Sequence, residues 1–177
     1  DNIVITALPE EINGKNVKNV ILMISDGWGY NQILATDYYM DGKAGTQGYE
    51  RFPTKVAMST YSYGKDKGTS DDNNSIYSPD LWLKFDLFKY NPTDSASAGT
   101  AMSTGTKTYD NAIGVDQEEE SLKHIADDFE ALGRATGVVS SVEFSHATPA
   151  SFVAHNPSRN EYSDIANEMI KSSATDV

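Results

Sequence analysis

An acidic residue stands directly before a serine in the stretch "NPTDSASAGTAMSTG", which runs from Asn91 to Gly105. Almost every side chain after Asp94 and Ser95 is small, so the stretch has no large apolar face, yet it is too rich in alanine for a disordered tail. We predict a helix that begins at Ser95 and packs close against its neighbours. A serine at a helix N-terminus faces unpaired backbone N–H groups and the positive end of the helix dipole, which stabilise an attached phosphoryl group. Ser95 is therefore the predicted nucleophile.

Other polar residues follow predicted strands. Asp26 comes after the apolar run "VILMI" (Val20 to Ile24), and His146 and Thr148 follow "VVSSVEF". In open α/β sheets, ligands bind beyond the carboxyl ends of the strands. Each residue taken singly also has a structural interpretation, because a strand-end aspartate is often a turn residue and Asp-Ser is a common helix cap. Their convergence on one sheet edge favours a site.

A nucleophilic serine needs a base or a metal ion to activate it. A histidine triad is a poor account, because "DSASAG" lacks the G-x-S-x-G elbow and the chain has only three histidines. His124 lies beside the polar face of a predicted amphipathic helix, and we interpret it as structural or solvated. Metal activation suits Asp26 better, since a hard carboxylate can bridge divalent ions.

The elements that position these residues alternate between strands and helices. This order predicts an α/β fold with a mostly parallel central sheet and helices on both faces. Leu122, Ile125, Phe129 and Leu132 recur at helical spacing and Gly133 stands where that helix would stop. The predicted strands are residues 20–24, 55–63 and 137–144, and the first of them is expected to be buried on both faces. The other predicted helices are residues 31–40 and 163–172, and the second of these has Ile165 and Met169 on one face.

Composition excludes several classes of protein. The 177 residues suit one domain or part of a larger one, and the net charge of −12 disfavours nucleic acid as a partner. A local arginine or bound cations can still reverse the sign inside a phosphate site. The chain has no cysteine, which excludes disulfides, thiolate zinc sites and cysteine nucleophiles. No apolar run reaches the length of a membrane span.

Three blocks resemble the alkaline phosphatase family in order and approximate spacing: "NVILMISDGWG", "TDSASAGTAMSTGTKTYDNAIGVD" and "HATPASFVAHNPSRNEYSD". The resemblance covers most of the chain outside residues 64–90. It implies an alkaline-phosphatase-like fold, with residues 1–177 as the N-terminal part of a single domain, an insertion at about 64–90 and the C-terminal half absent. The chain ends where a new strand would be due, which agrees with a cut inside a domain.

The resemblance also implies a role for each matching residue. Ser95 is similar to the family's nucleophile, which forms a phosphoseryl intermediate, and Arg159 to its phosphate-binding arginine, with Asp94 helping to hold that arginine. Asp26 is similar to the carboxylate that bridges the second zinc and the magnesium, and Thr148 to a magnesium ligand. The implied metal ligands are Asp26, Ser95, Thr148 and His146, where one branch of the family has aspartate and another has histidine. His155 matches a family position that we interpret as supporting structure.

The implied activity is phosphate monoester hydrolysis with two zinc ions and one magnesium ion. The implied partners are small phosphomonoesters and inorganic phosphate, in a homodimer that is periplasmic or secreted. Because the family's remaining ligands lie in the absent half, we expect residues 1–177 alone to be inactive. Two alternatives stay open: a phosphodiesterase or sulfatase of the same superfamily, and a non-catalytic domain that retains the fold. The insertion could be a hairpin packed on its own domain, or a lid or subunit contact formed by Trp82, Phe85 and Phe88.

Overall fold

The computed structural model describes residues 11–12, 15–16, 18–56, 61–63 and 92–176. They belong to two compact units, a smaller one of residues 7–59 and a larger one formed by residues 1–6 and 60–177. The 64–90 segment, with its predicted insertion, lies outside the described residues. None of the helices in the described part is long and apolar enough to cross a membrane.

The smaller unit contains a two-stranded antiparallel pair and one long helix. Strands β1 (Glu11–Ile12) and β2 (Lys15–Asn16) pair with Glu11 opposite Asn16. Helix α1 (Tyr30–Asp41) begins where the Gln32 side chain accepts a hydrogen bond from the Gly29 N–H at 3.1 Å. The helix predicted over 31–40 is therefore confirmed, and a 3₁₀ turn (Gly48–Arg51) follows it.

A buried carboxylate ties the loop after α1 to the helix. Asp37 is 1% exposed and accepts hydrogen bonds from the Gly45 N–H at 2.7 Å, the Thr46 N–H at 3.1 Å and the Thr46 hydroxyl at 2.8 Å. Burial alone would raise the pKa of Asp37, but these hydrogen bonds outweigh it and lower the pKa below its ordinary value. The ionised side chain therefore stabilises the turn that ends α1.

The larger unit carries four helices in its described part: α2 (Ser95–Thr104), α3 (Ile125–Ala131), α4 (Ala147–Ala150) and α5 (Tyr162–Lys171). The helix predicted to begin at Ser95 is confirmed. So is α5, which buries Ile165 at 0% exposure and Met169 at 7%. Helix α3 confirms only part of the predicted pattern, because it begins at Ile125 and Leu122 lies outside it. It ends as expected, because Gly133 follows it with φ +68°, a left-handed conformation that glycine adopts without strain.

Helix α2 lies in direct contact with α4 and the turn after it. A Cβ atom placed on Gly99 would lie 2.0 Å from Ser151 Oγ and 2.9 Å from Ser151 Cβ, closer than any real side chain tolerates. Thr100 is the residue after Gly99. Its Oγ1 donates to the Ala112 carbonyl and accepts from the Gly114 N–H at 2.9 Å. The expectation that small residues allow close packing is confirmed.

The parallel sheet is not confirmed. Residues 18–25 and 137–144 are not assigned to strands, and the predicted double-sided burial of 20–24 is wrong, because Val20 to Ile24 are 39–89% exposed. A parallel strand is buried only by neighbouring strands and crossover helices. In the described part of the chain, ladder pairing is limited to β1–β2 and the single bridges Ile113–Asn156 and Val115–Ser121.

A backbone hydrogen bond joins Asp176 to the segment that precedes residues 137–144. The Asp176 N–H donates to the Thr136 carbonyl at 2.9 Å, so the end of the described chain lies beside the start of the segment predicted as a strand. For the strand predicted over 55–63, residues 57–60 lie outside the described part, and 55–56 and 61–63 are not in a strand.

Candidate active site

Ser95 is the first residue of α2, and the residue before it caps the helix. Asp94 has an extended backbone (φ −89°, ψ 172°), and its Oδ1 accepts hydrogen bonds from the Ser97 N–H at 3.0 Å and the Ser97 hydroxyl at 2.8 Å. This is the usual geometry of an aspartate N-cap, which satisfies one of the unpaired N–H groups of the first turn. The cap fixes where Ser95 lies at the positive end of the helix.

The second oxygen of the Asp94 carboxylate binds the predicted phosphate-binding arginine. Arg159 Nη1 lies 3.0 Å from Asp94 Oδ2, and the Asn111 N–H donates to the same oxygen at 3.1 Å. Both side chains of the ion pair are largely shielded, with 18% exposure for Arg159 and 22% for Asp94. Because solvent screens this ion pair less, its electrostatic attraction is stronger than that of a pair on the open surface.

The same guanidinium nitrogen contacts the serine. Arg159 Nη1 donates to Ser95 Oγ at 3.0 Å, so the cation lies against the hydroxyl at the helix N-terminus. The Arg159 backbone N–H donates to the Asn111 carbonyl at 2.8 Å. Asn111 has a positive φ of 76°, a conformation that asparagine tolerates better than most residues, and its backbone holds both Asp94 and Arg159.

The arrangement around Ser95 is suited to a bound anion. A helix N-terminus and a guanidinium both offer N–H donors and positive charge at one oxygen atom. Guanidinium groups also recognise phosphate oxygens by paired hydrogen bonds. The structure thus brings together Asp94, Ser95 and Arg159, although 64 residues separate the serine from the arginine in the sequence.

Two further residues at the site were not singled out from the sequence. Asp110 Oδ1 accepts hydrogen bonds from the Asp94 N–H at 3.3 Å and the Ser97 hydroxyl at 3.0 Å, and burial raises the pKa of this carboxyl. Asn111 is the other. The pair "DN" after "KTY" is typical of a turn, so the sequence does predict a turn here. Nothing in the local sequence indicates which helix that turn contacts.

His146 and Thr148 lie close together at the start of α4. His146 caps this short helix with its backbone, and its ring Nδ1 is buried without a hydrogen-bond partner among the described residues. A buried polar atom of this kind needs a partner, and an imidazole nitrogen can bind a metal ion. Thr148 is half-buried two positions further on. Within the described ranges no group of three histidine or carboxylate side chains that could hold a metal ion is found, so the metal-binding roles of His146 and Thr148 stay predictions.

Asp26 belongs to the smaller unit. It lies in an exposed turn before α1, where the Trp28 N–H donates to the Ser25 carbonyl at 3.3 Å. The sequence predicted a turn after an apolar run, and the turn is present. Its proposed part in a metal site stays a prediction.

The two remaining histidines form a cluster elsewhere in the larger unit. His124 is 1% exposed, so the solvated alternative is wrong and the structural one holds. Its ring lies 4.5 Å from that of His155, and burial, together with the neighbouring His155, lowers the pKa of His124 to about 4. His155 contacts Glu168 Oε1 through Nδ1 at 2.8 Å and the Leu122 carbonyl through Nε2 at 2.7 Å, as expected of a supporting residue.

Known proteins share sequence with most of this chain. The family model for alkaline phosphatase matches residues 17–177. Alkaline phosphatase 4 of Bacillus subtilis (strain 168) is 36% identical over 157 residues, which cover 85% of this chain, and alkaline phosphatase of Escherichia coli (strain K12) is 37% identical over 88% of it. The chain spans 29% of the length of each of these relatives.

Solved structures give the same result for the fold. The alkaline phosphatase from the Antarctic bacterium TAB5 superposes with a TM-score of 0.58 at 32% identity, over 85% of this chain and 36% of that one. The cold-active alkaline phosphatase from the psychrophile Shewanella sp. gives 0.54 at 30% identity, over 83% and 32%. By its sequence, its fold and these matches, the chain belongs to the alkaline phosphatase family.

Proposed function

We propose that the protein carrying this chain is a metal-dependent phosphate monoester hydrolase that acts through a phosphoserine at Ser95. The observation that carries the proposal is the contact of Arg159 Nη1 with both Ser95 Oγ and Asp94 Oδ2, each at 3.0 Å, at the start of a ten-residue helix. It unites a nucleophilic oxygen, a cation and helix N–H donors in one place.

The chain's own residues account for substrate binding and for the nucleophile. The substrate phosphoryl group lies against Ser95, where the guanidinium of Arg159 and the first N–H groups of α2 bind its oxygens. Ser95 Oγ attacks phosphorus, the O–P bond to serine forms and the bond to the leaving alcohol breaks. Water then hydrolyses the phosphoserine, which releases inorganic phosphate and restores the hydroxyl. Asp94 keeps the guanidinium in position throughout.

Metal ions would supply the remaining positive charge. We propose His146 and Thr148 as ligands of one ion, supported by the buried unpartnered nitrogen of His146, and Asp26 and Ser95 as further ligands from the family resemblance. A related solved structure is a histidine-to-glutamate mutant of TAB5 alkaline phosphatase with Mg bound in the M3 site. Two zinc ions and one magnesium ion are the proposed complement, and when bound they lower the pKa of an attacking hydroxyl and neutralise charge.

The proposed substrates are small phosphomonoesters, and the match to the alkaline phosphatase family supports this choice. The homodimer and the periplasmic or secreted location are proposed from the family resemblance. We also propose, from the family resemblance, that residues 1–177 alone are inactive, because the family's remaining metal ligands are expected outside this segment. Assaying this segment against an aryl phosphate with zinc and magnesium tests it, and robust turnover would contradict it.

The decisive experiment replaces the serine in the full-length protein. Ser95→Ala should lower kcat on an aryl phosphate by about three orders of magnitude or more, because the nucleophile is lost. Acid-quenched wild-type enzyme should yield a phosphorylated peptide that contains Ser95. Ser163→Ala, an exposed serine on α5, is the control and should behave as wild type. Full activity of Ser95→Ala, or greater turnover of a diester or sulfate ester, would reject the proposal.

A further inference from the structure

Asp110 contacts a residue on each side of Ser95, namely Asp94 and Ser97. Its Oδ1 accepts the Asp94 N–H at 3.3 Å and the Ser97 hydroxyl at 3.0 Å, so it binds the positions directly before the nucleophile and two after it. Asp110 comes from the loop after α2, not from the helix itself. The first turn of α2 is therefore held from outside as well as by its own cap.

Ser97 connects the two carboxylates. It is 2% exposed, and its Oγ lies 2.8 Å from Asp94 Oδ1 and 3.0 Å from Asp110 Oδ1. One hydroxyl carries a single proton, so the two acceptors share it, and the orientation of Ser97 depends on both. The Thr93 hydroxyl lies 2.8 Å from Ser97 Oγ, and the Asp94 carbonyl lies 3.3 Å from it.

The chain of contacts continues to the guanidinium. Asp94 Oδ2, on the other side of the same carboxylate, binds Arg159 Nη1 at 3.0 Å. The next residue after Asp110 is Asn111, whose N–H donates to Asp94 Oδ2 and whose carbonyl accepts from Arg159. A shift of Asp110 would thus move Asp94 and the first turn of α2 that carries Ser95, whereas the Arg159 backbone stays bound to the Asn111 carbonyl.

We propose that Asp110 is a positioning residue for Ser95, acting through Ser97 and Asp94 as a fixed hydrogen-bond acceptor. This inference rests on the proposed role of Ser95 as nucleophile. Reactions of this kind depend steeply on the placement of the attacking oxygen, and a displacement near 1 Å can cost about a hundredfold in rate. Asp110 itself need not contact the substrate.

The test is a kinetic comparison in the full-length protein with its metal ions. Asp110→Ala should lower kcat on an aryl phosphate about tenfold with little change in KM, because the nucleophile is misplaced while Arg159 remains. Asp110→Asn retains an acceptor oxygen of the same shape and should restore kcat to within about threefold of wild type. Asp164→Ala, an exposed carboxylate on α5, is the matched control and should leave kcat unchanged.

A double-mutant cycle shows whether the effect passes through Ser97. Ser97→Ala should also lower kcat, and the double variant Asp110→Ala/Ser97→Ala should lose less than the sum of the two single losses, because the Asp110–Ser97 hydrogen bond is common to both. If Asp110→Ala does not fold, Ser97→Ala carries the test by removing that contact from the other side.

Three results would overturn the inference: wild-type kcat in Asp110→Ala or Ser97→Ala, an Asp110→Asn enzyme as slow as Asp110→Ala, or additive losses in the double variant. These outcomes are distinct from failure of the proposed function, which would appear as full activity in Ser95→Ala. An inactive Ser95→Ala combined with a normal Asp110→Ala rejects the positioning role alone.

Discussion

Helices α2 and α5 have the same length of ten residues but are held in place in different ways. Helix α5 has one apolar face, which buries Ile165 and Met169, and an outer face that is mostly polar apart from the exposed Ile170. Helix α2 has almost no apolar face. Its buried residues are small, namely Ala96, Ser97, Gly99, Thr100 and Ser103, and several of them make hydrogen bonds to neighbouring backbone.

This difference matches the tasks of the two helices. Apolar packing tolerates side chains that adjust, because the hydrophobic effect is non-directional. Hydrogen bonds and close backbone contacts fix direction and distance, which a nucleophile at a helix N-terminus requires. We therefore expect α5 to contribute more to the free energy of unfolding, and α2 to be more sensitive to changes of shape.

The largest effect is expected from the apolar face of α5. Ile165→Ala removes three buried carbon atoms from a fully buried position and leaves a cavity, which should lower the free energy of unfolding by about 2–5 kcal/mol. Urea unfolding of the full-length protein measures this. The KM of the enzyme should change little. A loss in the free energy of unfolding below about 1 kcal/mol would show that α5 is not held by this face.

The next largest effect is expected from acid, which should lower the free energy of unfolding through His124. Burial lowers the pKa of His124 to about 4, below its ordinary value of 6.5, so the fold favours the neutral ring. The neutral ring of His124 makes its full contribution to the free energy of unfolding above pH 6.5. This contribution is lost as the pH falls from 6.5 to about 4, because the unfolded chain then binds the proton more readily. The loss should reach about 3 kcal/mol.

His124→Gln provides the comparison for this effect. Glutamine does not titrate, so the variant should lose about 3 kcal/mol less stability than wild type between pH 7 and pH 4. Urea unfolding at several pH values measures both proteins, and the carboxylates common to both cancel. Identical pH slopes would show that His124 titrates normally in the fold.

On α2, even one added carbon atom at a close contact should lower both the free energy of unfolding and kcat. Gly99→Ala places a Cβ atom 2.0 Å from Ser151 Oγ, so the helix or the turn after α4 must shift, at a cost of about 1–3 kcal/mol. Because that shift moves the N-terminal turn, kcat should also fall. The double variant Gly99→Ala/Ser151→Gly removes the clashing atoms and should recover part of both losses. No recovery would mean that another contact sets the position of α2.

The sequence predicted these helices well for different reasons. Ile165 and Met169 recur at helical spacing, and that local pattern is sufficient for α5. The start of α2 was predictable from Asp94 and Ser95, since a cap is also local. The link between Arg159 and Ser95 came from the family resemblance, and the role of Asp110 was missed because contacts across a loop leave no periodic trace. The exposed run 20–24 was misjudged because burial of a parallel strand depends on neighbours elsewhere in the chain.

The smallest effects should differ in sign between the two helices for the same kind of substitution. Asn167→Ala on the exposed face of α5 should stabilise the protein by about 0.5 kcal/mol, because alanine has the higher helix propensity and no contact is lost. Ser103→Ala on α2 should destabilise it by about 1 kcal/mol, since the buried hydroxyl donates to the Ser151 carbonyl and alanine leaves that carbonyl without a donor. Thermal unfolding of both variants beside wild type measures the two shifts. If both variants were stabilised equally, the buried hydrogen bonds of α2 would contribute nothing, and the contrast between a helix held by apolar packing and one held by polar contacts would be lost.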